Sequence, residues 1–212
     1  MTKAQIEALD AAIYGAGKGA STEFLRAVLD GYEKKYSAAL VHLDNAVDNA
    51  GADDSDKYAA YYKAFYLMNR GVLRAEMIDF IASMQNNVQV LTMDDTHNTR
   101  ARVKEQATTQ YDYSEAIADL EAAAATVGNL PYIYFDLGNL YCLASEHISS
   151  IENYTKAIRL YPYMGDAYFN RGLVLIYLKD KEKGCIDLSR AGELGVQDAY
   201  AVIKKYCEEE KE

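Results

Sequence analysis

The chain has little of what breaks or crosslinks a backbone. Its 212 residues include 2 prolines, 3 cysteines and no tryptophan. So few prolines, beside 13 glycines, leave little room for a β-rich fold full of turns. Cys142, Cys185 and Cys207 cannot all be paired and show no Cys-x-x-Cys spacing, which points to thiols packed as small apolar side chains in a reducing compartment. No apolar run reaches about 18 residues, so no membrane-spanning segment is expected. The opening Met-Thr-Lys-Ala-Gln-Ile-Glu lacks the unbroken apolar core of a secretory leader. The expected location is therefore cytoplasmic, unless the chain is a piece of a longer protein. Positive charge is also scarce: 22 Lys and Arg stand against 32 Asp and Glu, for a net charge of −10. Nucleic acid and anionic membranes need a basic face, so neither is expected as a partner.

What is present is apolar and aromatic. Half the residues are hydrophobic and 19 are tyrosine. Tyrosine suits helix interfaces with a wet edge, because its ring packs while its hydroxyl reaches water. From Pro131 to Val196 the sequence repeats at a spacing of 34: Tyr134 falls on Tyr168, Gly138 on Gly172, Tyr154 on Leu188, Ala157 on Ala191 and Leu160 on Leu194. Each unit reads as two helices. Tyr134, Leu137, Gly138 and Tyr141 share a face of the first, and Ile151, Tyr154, Ala157 and Ile158 a face of the second. Gly138 and Ala157 are small where the two must approach, and Pro162 stops the second helix.

The pattern Tyr134, Leu137-Gly138, Tyr141, Ser150, Tyr154, Ala157, Pro162 resembles the tetratricopeptide repeat, a helix–turn–helix of 34 residues. The match is close over 131–164. Over 165–198 it is altered: Arg171 replaces the Leu before Gly172, Leu175 replaces the Tyr, and Val196 stands at the Pro position. The resemblance implies an all-α, right-handed superhelical array of helix–turn–helix repeats. Residues 197–212 would add a capping helix, with Tyr200, Val202, Ile203 and Tyr206 inward, and a polar tail.

Upstream, Tyr36 to Ala46 and Tyr113 to Ala123 share the second-helix pattern. Residues 1–53 therefore read as a short helix over 3–17 followed by a degenerate repeat, with Ser21 or Thr22 capping its first helix and Gly31 in its turn region. Gly15-Ala16-Gly17-Lys18-Gly19 is not a phosphate loop, because the leading glycine, the Ser or Thr after the lysine and a preceding strand are all missing. Residues 54–130 read as one elongated repeat. Asn69-Arg70-Gly71 matches Asn170-Arg171-Gly172, but no turn follows; Leu73, Met77, Phe80/Ile81, Met84, Val88 and Leu91 continue a heptad-like stripe. Two long antiparallel helices, 56–92 and 98–127, are expected, like a short coiled coil. The rival reading is two degenerate repeats, 63–96 and 97–130.

No catalytic constellation is legible. His42, His97 and His147 lie far apart, and no nucleophile motif or zinc spacing occurs. Asp94, Asp95 and His97 at the hairpin tip read as a solvated turn. No enzyme activity, cofactor or metal is expected. The resemblance implies instead that first helices line a concave groove for a peptide or protein partner. By register the groove residues are Tyr132, Phe135, Asn139 and Leu143 from one repeat, and Asp166, Phe169, Asn170, Leu173 and Tyr177 from the next. Asn139 and Asn170 are expected to bond the backbone of an extended peptide. Phe135 and Phe169 stand where a carboxylate-gripping Lys would help, so an apolar or basic segment is expected rather than a carboxylate tail. The alternative function is structural: self-association into a homo-oligomer through the long hairpin.

Overall fold

A computed structural model of the chain describes residues 19–50, 58–86 and 111–208, together with the isolated helical positions 5, 8 and 11. The described residues form nine α-helices and no strands. They are α1 (Ala20–Tyr32), α2 (Tyr36–Asn49), α3 (Ala59–Asn86), α4 (Ser114–Thr126), α5 (Pro131–Leu143), α6 (His147–Leu160), α7 (Gly165–Tyr177), α8 (Lys181–Glu193) and α9 (Asp198–Tyr206). The chain divides into two units, one holding α1–α4 and the other α5–α9.

In each unit successive helices pair off: α1 with α2, α3 with α4, α5 with α6 and α7 with α8. The pairing is set by small residues that let two backbones approach. A Cβ on Gly172 would lie 2.9 Å from the Gly184 carbonyl oxygen, and one on Gly184 would lie 2.8 Å from the Gly172 oxygen. A Cβ on Gly138 would sit 2.5 Å from the Tyr154 ring, and one on Gly71 would lie 2.7 Å from the Ala116 oxygen. At the matching place in the first pair, Ala27 and Ala39 are buried at 3% and 0% exposure.

The turns inside three of the pairs share one construction. Lys34, Ser145 and Lys179 have φ of 60°, 65° and 68°, left-handed values that disfavour a side chain. Around each, two backbone N–H groups bond back to the helix end, as in Lys179 N–H to Ile176 O at 3.0 Å and Asp180 N–H to Leu175 O at 2.9 Å. This is the Schellman closure, usually supplied with glycine. The turn after α1 is thus made at Lys34, while Gly31 lies inside the helix. The start of α1 also differs from expectation: Gly19 is its N-cap, and Thr22 is buried within the helix.

The elongated repeat departs from its sequence reading at its second helix. α3 runs 28 residues without a break, so no turn interrupts it after Gly71. However, Tyr111, Asp112 and Tyr113 are not helical, and α4 begins only at Ser114. A continuous helix from 98 to 127 is therefore excluded. The stripe on α3 has other partners near its middle: Leu73 packs with Ala27, Ala39 and Leu43, and Phe80 meets Tyr36 with ring centroids 5.4 Å apart. The helix expected over 3–17, the Asp94–His97 tip, and the stripe from the Met84 side chain to Leu91 lie outside the described residues.

α9 closes the second unit through Ala199, Val202 and Ile203, which pack with Phe169, Leu188 and Ala191. Tyr200 and Tyr206, expected inward, are exposed. Cys185 and Cys207, expected as free thiols, are joined in a disulfide that ties α8 to the end of α9. Their spacing in the chain carries no motif, so only the fold brings them together.

Two substitutions probe the seam and the turns. Gly172→Ala gains helix propensity but overlaps a backbone oxygen that cannot move aside, so urea denaturation should show a loss of about 1–3 kcal/mol. Lys179→Gly relieves a left-handed side chain and should raise stability by about 1 kcal/mol; an unchanged midpoint would show that the turn carries no such strain.

Candidate functional site

The nine residues placed in the groove by register do not share one environment; Leu143, at the end of α5, is half-buried. Phe135, Asn139, Phe169 and Asn170 are buried. Leu173 is half-buried and packs into the cluster with Phe169, Leu188 and Ala199. Asp166 is half-buried, while Tyr132 and Tyr177 are exposed. Tyr177 lays its ring against His147, with centroids 4.9 Å apart.

Asn139 and Asn170 are inside because α5 and α7 lie side by side. The Asn170 amide donates to Asn139 Oδ1 at 2.9 Å, and the Tyr154 hydroxyl donates to the same oxygen at 2.7 Å. Tyr154 is fully buried, so its hydroxyl requires a protein partner. The Ser150 hydroxyl donates to the Gly138 carbonyl at 2.8 Å, which holds α6 against α5. The two asparagines thus join neighbouring repeats, and the expectation that they bond a peptide backbone is corrected by their burial. Phe135 sits with its ring 6.1 Å from that of Tyr154. Beside them, burial pushes the Cys142 thiol up to about 11, which keeps it protonated and unreactive near neutral pH.

The open part of this region is a cleft of about 450 Å³ at the starts of α5, α7 and α9. Tyr132, Tyr161 and Tyr163 line it together with Asp166 and Asp198. Tyr163 is 67% exposed and Tyr132 58%, so both rings present apolar faces to solvent. Tyr161 and Tyr163 meet edge to face, with centroids 6.1 Å apart and planes at 60°. Gly165 lets the start of α7 lie close against the α8–α9 turn: a Cβ there would come within 2.9 Å of Val196. Asp166 and Asp198 lie in the first turns of α7 and α9, where the positive helix end favours a carboxylate. Of these lining residues the register identified Tyr132 and Asp166. It missed Tyr161, Tyr163 and Asp198, which reach the cleft from the connections between repeats and from the closing helix.

Buried charge elsewhere is self-satisfied. Arg171 makes a forked contact with Asp187, at 2.7 and 2.8 Å, and its third nitrogen reaches the Thr155 hydroxyl at 2.9 Å. In the α1–α4 unit Arg70 makes the same fork with Asp119, at 3.0 and 2.5 Å, and reaches Asp44 at 2.7 Å. Arg74 also donates to Asp119 at 2.8 Å. Glu23 is buried and bonds Arg26 and His42 Nδ1, the latter at 2.7 Å. Burial alone would raise the Glu23 carboxyl; the His42 bond and the Arg26 charge outweigh it and hold it below its ordinary value. Each of these carboxylates is committed to a neighbouring cation. Among the described residues, no group of three or more His, Cys, Asp or Glu side chains could hold a metal ion. No described helix is long and apolar enough to cross a membrane.

No family model matches the chain, and no curated protein matches it in sequence. Solved structures match it in fold. A double mutant of MamA from RS-1 superposes at a TM-score of 0.57, with 13% identity over 91% of this chain and 84% of its own. MamA from position 41 to its end, from Desulfovibrio magneticus RS-1, superposes at 0.56, with 14% identity over 89% of this chain and 82% of its own. A further crystal structure of MamA gives 0.55, with 17% identity over 92% and 89%. At such identities the likeness is one of fold. That fold is the tetratricopeptide-type array of paired helices announced by the 34-residue period.

The two asparagines can be tested as structural residues. Asn139→Ala removes the acceptor shared by Tyr154 and Asn170, and should cost about 1–3 kcal/mol in chemical denaturation. A loss below half a kcal/mol would mean that the buried network does not join the repeats.

Proposed function

We propose that this tetratricopeptide-type array is a non-enzymatic protein-interaction scaffold that holds an extended segment of a partner protein along the exposed ends of α5 and α7. The observation that carries this reading is the cleft beside Tyr132 and Asp166. It is an open, aromatic-walled recess in a unit where Tyr154, Asn139, Asn170 and Arg171 direct their polar groups inward to protein partners. A site for an extended chain needs apolar pockets for side chains and polar groups at its edge. Tyr132 and Tyr163 supply the first and Asp166 the second. Tyr177 stands further along the same helix as Asp166, three turns on, and extends the surface. The groove is accordingly assigned to Tyr132, Asp166 and Tyr177, with Phe135, Asn139, Phe169, Asn170 and Leu173 as the packing beneath it.

Panning a random peptide library on the full chain tests this. Selected peptides should bind the Tyr132→Ala/Tyr177→Ala double variant at least about tenfold more weakly than the native protein, since exposed aromatic anchors dominate such surfaces. Both positions are exposed, so the variant should fold, with at most a small drop in midpoint from the lost Tyr177–His147 ring contact. Peptides that bind both proteins equally would remove the groove.

A further inference from the structure

We propose that the cleft formed by Tyr132, Tyr161, Tyr163, Asp166 and Asp198 is a receptor for a cationic side chain, a lysine or arginine of the bound segment. This rests on the reading of the surface as a peptide groove and adds the chemistry of its occupant. Its lining supplies three aromatic rings and two carboxylates, and no lysine or arginine lines it. Rings of this kind attract a cation to their faces through the negative side of the ring quadrupole. Tyr161 and Tyr163, set at 60° to each other, form one corner of such an enclosure, and Tyr132 faces in from the preceding repeat.

The electrostatics choose between cation and anion. Three helix N-termini border the cleft, those of α5, α7 and α9, which alone would favour an anion. Two of them carry an aspartate in the first turn, Asp166 in α7 and Asp198 in α9, so those positive ends are offset from within the chain. A carboxylate has lone pairs for about four hydrogen bonds, which leaves room for an incoming ammonium beside its internal bonds. At longer range the net charge of −10 draws a basic ligand in and repels an acidic one. The volume, about 450 Å³, admits a lysine or arginine head with its methylene stem against the rings.

The test uses fluorescein-labelled nine-residue peptides of alternating alanine and lysine, or alanine and glutamine, titrated by anisotropy onto the full chain. The lysine peptide should bind at least about tenfold more tightly than the glutamine peptide, and more weakly as salt rises. Asp166→Asn with Asp198→Asn removes both charges at nearly constant shape, and should weaken the lysine peptide about tenfold, more than it weakens the glutamine peptide. Tyr163→Ala should weaken it about fivefold. Equal binding of the two peptides overturns the cationic assignment, as does an asparagine double variant that binds lysine normally. If the lysine peptide responds to Tyr177→Ala but not to the aspartate changes, the groove stands and the cation receptor falls. If neither peptide binds, nor any peptide selected from a library, both readings fall together.

Discussion

Everything described here depends on how closely two helix backbones approach within each pair. Gly172 faces Gly184, Gly138 faces Ser150, Gly71 faces Ala116 and Ala27 lies in the cluster with Ala39. At these crossings there is no space for a larger side chain, so the contact fixes where one helix lies along the other. The rest follows from that register. Tyr154 covers the Gly138 crossing and so must bury its hydroxyl, which brings in Asn139 and then Asn170 of the next repeat. The Schellman turns at Lys34, Ser145 and Lys179 keep the connection short enough for the second helix to return at the same place.

Beside each crossing lies a second pair of positions, and these vary together. Arg171 precedes Gly172 and finds Asp187, and Arg70 precedes Gly71 and finds Asp119. In the repeat where Leu137 takes the arginine's place, Asn153 takes the aspartate's, and its amide turns to the Ser149 carbonyl at 2.9 Å. In the first repeat Arg26 and His42 occupy the two places, and Glu23 lies between them. A buried ion pair gives little net stability over an apolar one, but a single partner left alone is costly. A helix from an Arg–Asp repeat would therefore pair poorly with one from the Leu137–Asn153 or Arg26–His42 repeat, which limits mispairing among the helix pairs.

Much of this was readable in the chain alone. The period of 34, the small residues at Gly138, Gly172 and Ala157, and the paired helices of 131–198 are local or strictly periodic features, and they survive translation into structure. The groove was less legible. A helical wheel places Asn139 and Asn170 on an outer face, but burial is decided by the neighbouring helix, which the wheel does not contain. The missing clue was Tyr154, since a tyrosine at a core position needs an acceptor nearby. Tyr161, Tyr163 and Asp198 escaped because they lie outside the first-helix register from which the groove was built. Arg70 matches Arg171 in the sequence, and their partners Asp119 and Asp187 also match, a contact signal that the repeat pattern alone leaves unread. In sequence the stripe on α3 looks like a hairpin seam, because periodicity names an apolar face without naming what covers it; at Leu73 and Phe80 the cover is α1 and α2.

The disulfide between Cys185 and Cys207 changes how the end of this molecule would bear a load. α9 has nine residues and would be the first helix to peel away under tension applied at the C-terminus. With the sulfurs joined, that tension passes from Cys207 directly to Cys185, in the first half of α8. The residues between them, including the turn at Gly195 and the whole of α9, are bypassed by the force. The second unit would therefore be gripped by its last full helix pair, while its closing helix rides slack.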